Sequence, residues 1–203
     1  FQVIDTIKTE KGIDQIDVII GGPPCQAYSL VGRAQSSHML VPMEEDPRNE
    51  LYKMYVQFLT KYQPRMFVFE NVAGIKTARG GQAFKNLQMY MKRVGYEIDY
   101  HELNAYDFGV LQSRKRVIIV GWLKGSGYEY PKFDIIHNKA EVWDLLKDLP
   151  SLTPGQEAHE YTVKDMHRVK KYVKENELRL KSDILTAHIA RPHTAQDIEI
   201  YKR

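Results

Sequence analysis

The sequence is short of the features that would fix its class at a glance. Its single cysteine, Cys25, excludes an intramolecular disulfide and any zinc site built from several cysteines, and it fits an intracellular setting. No apolar run exceeds four residues: the longest, 66–69 and 117–120, fall far short of the roughly 20 a membrane helix needs. No charged start followed by an apolar stretch marks a signal peptide, so the chain reads as soluble. Charge of one sign is lacking too, since 29 Lys/Arg against 26 Asp/Glu gives +3. With 43% apolar and 27% charged residues, wholesale disorder, collagen and coiled coil are excluded. At 203 residues the chain holds one domain, or one plus part of a second, with a core that needs no covalent or metal staple.

What is present is alternation. Residues 17–20 form a short β-branched run stopped by Gly21-Gly22-Pro23-Pro24, a buried strand feeding a loop. Leu51, Met54, Tyr55, Phe58, Leu59 and Tyr62 recur at helical spacing, and Pro64 closes that helix. Residues 66–70 form a second buried strand, Phe84, Leu87, Met91 and Val94 a second helix, 96–103 a loosely alternating strand and 116–122 the clearest strand of all. A weak helix is expected over 140–147. Strands alternating with helices predict an α/β fold with a mostly parallel sheet covered on both faces. In such sheets ligands sit beyond the carboxyl ends of the strands. Two strand ends carry chemistry there: Pro24-Cys25-Gln26 after the first, Glu70-Asn71 at the second.

Composition shifts near residue 150. Four of the seven histidines lie beyond it, and residues 161–203 carry ten Lys/Arg against six Asp/Glu, a net +4 that leaves the first 160 residues at −1. A basic tail suits a polyanion, and a solvated helical face has the same composition.

Taken singly, each chemical signal has a bland alternative. Cys25 is a presented nucleophile or a small buried hydrophobe, the commoner fate of a lone cysteine. Glu70 is an acid facing a site or an ordinary strand-end glutamate. The run Gln112-Ser-Arg-Lys-Arg116 grips phosphate or a base edge, or is a solvated basic turn. Taken in order, they resemble the DNA cytosine-5 methyltransferase family. The matching pieces are Gly22-Pro-Pro-Cys-Gln-Ala-Tyr-Ser29, Asp46-Pro-Arg-Asn-Glu-Leu51, Phe69-Glu-Asn-Val72 and Gly109-Val-Leu-Gln-Ser-Arg-Lys-Arg-Val-Ile-Ile-Val-Gly121. They cover residues 1–150 well and the remainder poorly.

The resemblance implies a Rossmann-like methyltransferase fold that uses S-adenosylmethionine and releases S-adenosylhomocysteine. It implies a covalent route on a flipped-out cytosine of double-stranded DNA. Cys25 would add to ring carbon 6, Glu70 would contact ring nitrogen 3 and the exocyclic amine, and Arg114 would contact the base carbonyl. Pro24 and Leu51 would line the cofactor pocket, and Asp5 would meet the adenine amino group, its bland alternative being a surface aspartate at a strand end. Gln26, Ser29, Arg33, Asn71, Gln112 and Arg116 would support the pocket or touch DNA. No metal is implied, and two histidines, His188 and His193, with Arg191 between them, are at most phosphate contacts.

The family's glycine-rich cofactor loop and most of its target recognition domain have no counterpart here. Residues 1–150 are therefore expected to be the catalytic domain without that loop, and 151–203 the start of the target recognition region. The chain opens on Phe1 rather than methionine, as a processed or truncated chain does, and is expected to be inactive alone. The enzyme implied is a monomeric, cytoplasmic, nucleoid-associated bacterial modification methyltransferase with a cognate restriction endonuclease and no membrane contact. Alternatives are a tRNA cytosine-5 methyltransferase, an inactive binding relative and one chain of a split enzyme.

Overall fold

The computed structural model describes residues 1–24, 51–136, 140–164 and 169–202. The chain divides into two compact units, Phe1–His137 and Asn138–Arg203. The division falls earlier than the compositional shift near 150, so the weak helix expected over 140–147 belongs with the second unit.

The first unit is a four-stranded sheet with helices. Its elements are α1 (Gln2–Lys11), β1 (Val18–Gly21), α2 (Leu51–Tyr62), β2 (Met66–Val72), α3 (Gln82–Arg93), β3 (Tyr96–Asn104) and β4 (Lys115–Leu123). The strand order is β1-β2-β4-β3. This is the mixed α/β architecture anticipated, with one correction. Only β1 and β2 pair in parallel, while β4 runs antiparallel to both β2 and β3. Sequence could not separate these cases, because β4 lies between two strands. Burial on both faces gives it the unbroken apolar run that otherwise marks a parallel strand.

Side-chain alternation fixes which way each strand faces. Phe67, Phe69 and Asn71 of β2 are buried on one face, and that face is closed by α2 and α3. From α2 come Tyr55, Val56 and Leu59, and from α3 Ala83, Phe84, Leu87 and Met91. With Tyr96, Val117 and Ile119 these make one contiguous core, each large side chain contributing about 2 kcal/mol of burial. Gly121 is required there, since a Cβ at that position would lie 2.1 Å from the Phe67 ring. Helix α2 ends where Gln63 turns to φ 44 and Pro64 follows. The Gln63 amide then donates to the carbonyls of Leu59 and Val94, tying the ends of α2 and α3 together.

The second unit contains α4 (Val142–Leu146), the short ladder of β5 (Glu157–Ala158) and β6 (His188–Ile189), α5 (Lys171–Glu175) and α6 (Ala195–Tyr201). It is organised around a buried arginine as much as around apolar groups. Arg179 pairs with Asp148, donates to the Val163 carbonyl and lies 3.7 Å over the Tyr161 ring. Val169, Val173 and Leu185 are the buried aliphatic residues of this unit. Among the described residues no helix is long and apolar enough to cross a membrane.

Candidate active site

The parallel pairing of β1 and β2 brings their carboxyl ends level, with Gly21 opposite Phe69. The chain leaves β1 through Gly22-Pro23-Pro24, and Glu70-Asn71 sits alongside. Gly22 lies against the Glu70 carboxylate: a Cβ on Gly22 would be 2.7 Å from Oε2. Asn71 is 2% exposed. Its Nδ2 donates to the Pro23 carbonyl at 3.3 Å and its Oδ1 accepts from the Val72 N–H at 3.0 Å. One buried side chain thus ties the Gly-Pro-Pro segment to the end of β2. A buried amide with both ends satisfied holds its neighbours in one arrangement.

Strand β4 supplies the counter-charge. Arg116 pairs with Val72 in the ladder and Glu70 with Ile118, so Arg116 and Glu70 are diagonal neighbours on one face. Arg116 Nε donates to Glu70 Oε1 at 2.7 Å, and Nη1 donates to the Lys115 carbonyl at 2.8 Å. The guanidinium is anchored at two points, and Oε2 remains on the Gly22 side. The pair is partly exposed, so it contributes about 1 kcal/mol or less to stability; its effect is to aim the carboxylate.

The other expected residues are distributed as follows. Pro24 is exposed just beyond β1, and Leu51 is half-buried at the first position of α2. Gln112 and Arg114 are exposed on the loop that enters β4. The Arg114 backbone is held while its side chain stands apart from the Glu70 pair: its N–H donates to Asn104 Oδ1 at 2.8 Å, and its carbonyl accepts from Ala105. Of the two arginines it is Arg116, expected in a supporting role, that the fold brings onto Glu70. Cys25, Gln26, Ser29 and Arg33 lie outside the described residues.

Asp5 stands in the first turn of α1, so the strand-end placement of its bland alternative is corrected. Its carboxylate accepts from Lys61 and, at 3.0 Å, from Tyr62 Oη. The hydrogen bond from Lys61 holds the Asp5 carboxyl below its usual range. This acid is committed to docking α1 on α2.

Two contributors had no sequence signal strong enough to single them out. Tyr55 belongs to the apolar stripe of α2, yet its hydroxyl lies 3.1 Å from the Ile19 carbonyl and 2.9 Å from that of Val68. It bridges the two strands that deliver the site. Burial pushes its phenol well above the usual range, so it stays a donor. Asn104 closes β3, where an Asn before a turn is a common capping choice.

A cavity of about 780 Å³ opens elsewhere in the first unit, walled by His101, Trp122, Tyr128, Tyr130 and Phe133 among others. None of the candidate residues lines it. Among the described residues no cluster of three His, Cys, Asp or Glu side chains could hold a metal.

Comparison with known proteins identifies the family. The family model for C-5 cytosine-specific DNA methylases matches residues 2–201. A type II methyltransferase of Bacillus paralicheniformis is 37% identical over 92% of this chain and 45% of its own length. Another, from Haemophilus parahaemolyticus, is 34% identical over 70% of this chain and 37% of its own. The chain therefore spans less than half the length of these curated relatives. A crystal structure assigned to a prophage-encoded DNA modification methyltransferase of E. coli superposes with a TM-score of 0.66 at 24% identity, covering 97% of this chain and 58% of that one. That likeness speaks for the fold. With the family's pattern running through both units, the chain belongs to the C-5 cytosine-specific DNA methylases.

Proposed function

We propose that the protein carrying this chain methylates carbon 5 of cytosine in double-stranded DNA, with Cys25 as nucleophile and Glu70 as the acid that binds the base. The observation that carries this reading is the Glu70 carboxylate held by Arg116 against Gly22, three positions before Cys25 in the chain.

Carbon 5 of cytosine is a poor nucleophile, and covalent addition at carbon 6 remedies this. The Cys25 thiolate adds to carbon 6 and leaves carbon 5 enamine-like. S-adenosylmethionine supplies the methyl group when bound. Loss of the carbon 5 proton then drives out the thiolate, closing the cycle with the enzyme restored. Glu70, through the oxygen on the Gly22 side, accepts from the exocyclic amine, and in its protonated form donates to nitrogen 3. Arg116 orients that carboxylate. Arg114 contacts the base carbonyl, and Gln112 supports the pocket or the DNA backbone. The two arginines also provide the positive potential that a thiolate requires. Gln26, Ser29 and Arg33 continue the same segment and face DNA.

Exposed Pro24 and half-buried Leu51, at the end of β1 and the start of α2, are apolar groups of the kind an S-adenosyl group rests on, at the edge where α/β sheets bind ligands. Asp5, already paired, is left out of that site. The target ring is buried in a duplex and must be flipped out to reach these groups. The type II relatives support a modification role beside a cognate endonuclease; the enzyme is proposed to act as a monomer in the bacterial cytoplasm.

The test uses the full-length protein with labelled S-adenosylmethionine, offering duplex DNA and tRNA separately. Label at carbon 5 of DNA cytosine, lost in Cys25→Ser and reduced roughly 10²-fold in Glu70→Gln, is the expected result. Label only in tRNA, or transfer retained by Cys25→Ser, would overturn it.

A further inference from the structure

The loop between β3 and β4 is closed by one side chain. Asn104 is the last residue of β3 and pairs with Lys115, the first of β4. Its Oδ1 accepts from the Tyr106 N–H at 3.3 Å, where the loop departs, and from the Arg114 N–H at 2.8 Å, where it returns. Its Nδ2 reaches Ser113 Oγ at 3.3 Å. The carboxamide therefore spans both stems.

The two halves of the loop are secured differently. The first half folds on itself, with N–H groups of Phe108 and Val110 donating to the Ala105 carbonyl and Gly109 to Tyr106. It is also tied to the segment beyond β4, because the Ile136 N–H donates to the Asp107 carbonyl. The second half, which carries Gln112, Ser113 and Arg114, meets the body of the unit through the Asn104 side chain and the Ala105–Arg114 backbone bond. Gln112, Ser113 and Arg114 are exposed, and Leu111 before them is half-buried.

We infer that Asn104 is a positioning residue for nucleic-acid engagement: by bridging Tyr106, Ser113 and Arg114 it sets the loop that presents Gln112 and Arg114 to DNA. This rests on the proposed function. Asn104 acts through the loop backbone, while the Glu70–Arg116 pair is anchored in the sheet. Its loss therefore weakens DNA engagement more than it slows the chemical step, which meets this loop only through the Arg114 contact with the base carbonyl.

The experiment compares Asn104→Ala, Asn104→Asp and Arg114→Ala in the full-length protein. Three quantities are read: amide exchange at Tyr106 and Arg114, KM for duplex DNA, and single-turnover methyl transfer at saturating DNA. An aspartate keeps both acceptor bonds to the backbone N–H groups, and its second oxygen can still accept from the Ser113 hydroxyl. In Asn104→Ala, exchange at Arg114 and KM for DNA each rise about tenfold, the size expected once the Arg114 N–H loses its acceptor, and the single-turnover rate falls by less than KM rises. In Asn104→Asp both exchange and KM stay near the parent, which a side chain needed for its neutrality would not explain. Should the alanine variant fail to fold, Asn104→Ser carries the same comparison, its hydroxyl still able to take one of the two N–H groups.

Faster exchange in Asn104→Ala with unchanged KM, while Arg114→Ala raises KM, would overturn the inference and leave Asn104 a structural cap. Unchanged KM in Arg114→Ala would show that the loop does not meet DNA, and that part of the proposed function would fall together with the inference.

Discussion

Gly22 and Glu70 lie in such close contact that a methyl group on the glycine would stand 2.7 Å from the glutamate's Oε2 and 3.6 Å from its carbonyl oxygen. The backbone at Gly22 does not need a glycine for its conformation, since it is absent from the positive-φ positions. What the site needs is the missing side chain. Gly22→Ala displaces the carboxylate while leaving the sheet intact. Methyl transfer should fall roughly tenfold or more, with an unfolding midpoint close to the parent's. Kinetics read beside denaturant unfolding check this; an active Gly22→Ala enzyme would mean that Glu70 reaches its target from elsewhere.

Arg116→Ala removes the donor that aims Glu70. Because the pair is partly solvated, stability should change by about 1 kcal/mol or less, while single-turnover transfer drops by roughly 10²-fold. Arg116→Lys restores the charge but not the Nε geometry, and should recover only part of the rate. Equal rates for the lysine variant and the parent would reduce the role of Arg116 to charge alone.

Tyr55→Phe keeps the ring that packs edge-on against Phe67 and Phe69 and deletes the hydroxyl between the Ile19 and Val68 carbonyls. The expected loss is about 1 kcal/mol, measured by denaturant unfolding. Gly21→Ala acts on the same spot from the other side, since its Cβ would meet the Tyr55 ring at 2.7 Å. It should cost about 1–3 kcal/mol by overpacking. In combination with Tyr55→Phe its cost should persist, because the ring remains.

The docking of α1 gives a pH dependence of defined sign. Lys61 holds Asp5 below its ordinary 3.8, and the same hydrogen bond holds Lys61 above its ordinary 10.5. A depressed carboxyl contributes stability that is present above 3.8 and is lost as pH falls through the lower, folded value. The raised lysine contributes stability that is present below 10.5 and is lost as pH rises beyond it. The difference in melting midpoint between the parent and Asp5→Asn should be constant through neutrality and close in strong acid. A difference that persists unchanged to about pH 2 would show that charge plays no part in it.

Much of the first unit was legible because its apolar residues keep strict time. The stripe from Leu51 to Tyr62 marked α2 as far as its end before Pro64, and the runs at 66–70 and 116–122 each gained only a residue or two at their ends. Helix α1 was not legible. Its Val3, Ile4 and Ile7 are β-branched and suit a strand, and none of its residues is buried. It is held instead by contacts remote in sequence, Phe1 against Phe58 at 4.7 Å between ring centroids, and Asp5 on Lys61. The site was legible in its residue types and only partly in its geometry. Spacing marked both arginines of Gln112-Ser-Arg-Lys-Arg116. Which of them meets Glu70 depends on where β4 begins and on its diagonal register with β2, and a linear pattern contains neither.

The order β1-β2-β4-β3 has a consequence for how the protein is made. Strand β3 is synthesised before β4, yet the two strands flanking the eventual position of β4 are never neighbours in the finished sheet. The earlier chain must either hold a strand-wide gap open or remain unsettled until β4 fills it. Of these four strands the last to leave the ribosome is thus one of the two interior ones, and it brings Arg116 with it. Until β4 is in place beside β2 the Glu70–Arg116 pair cannot form, so charge alignment at the site waits on the pairing of these two strands.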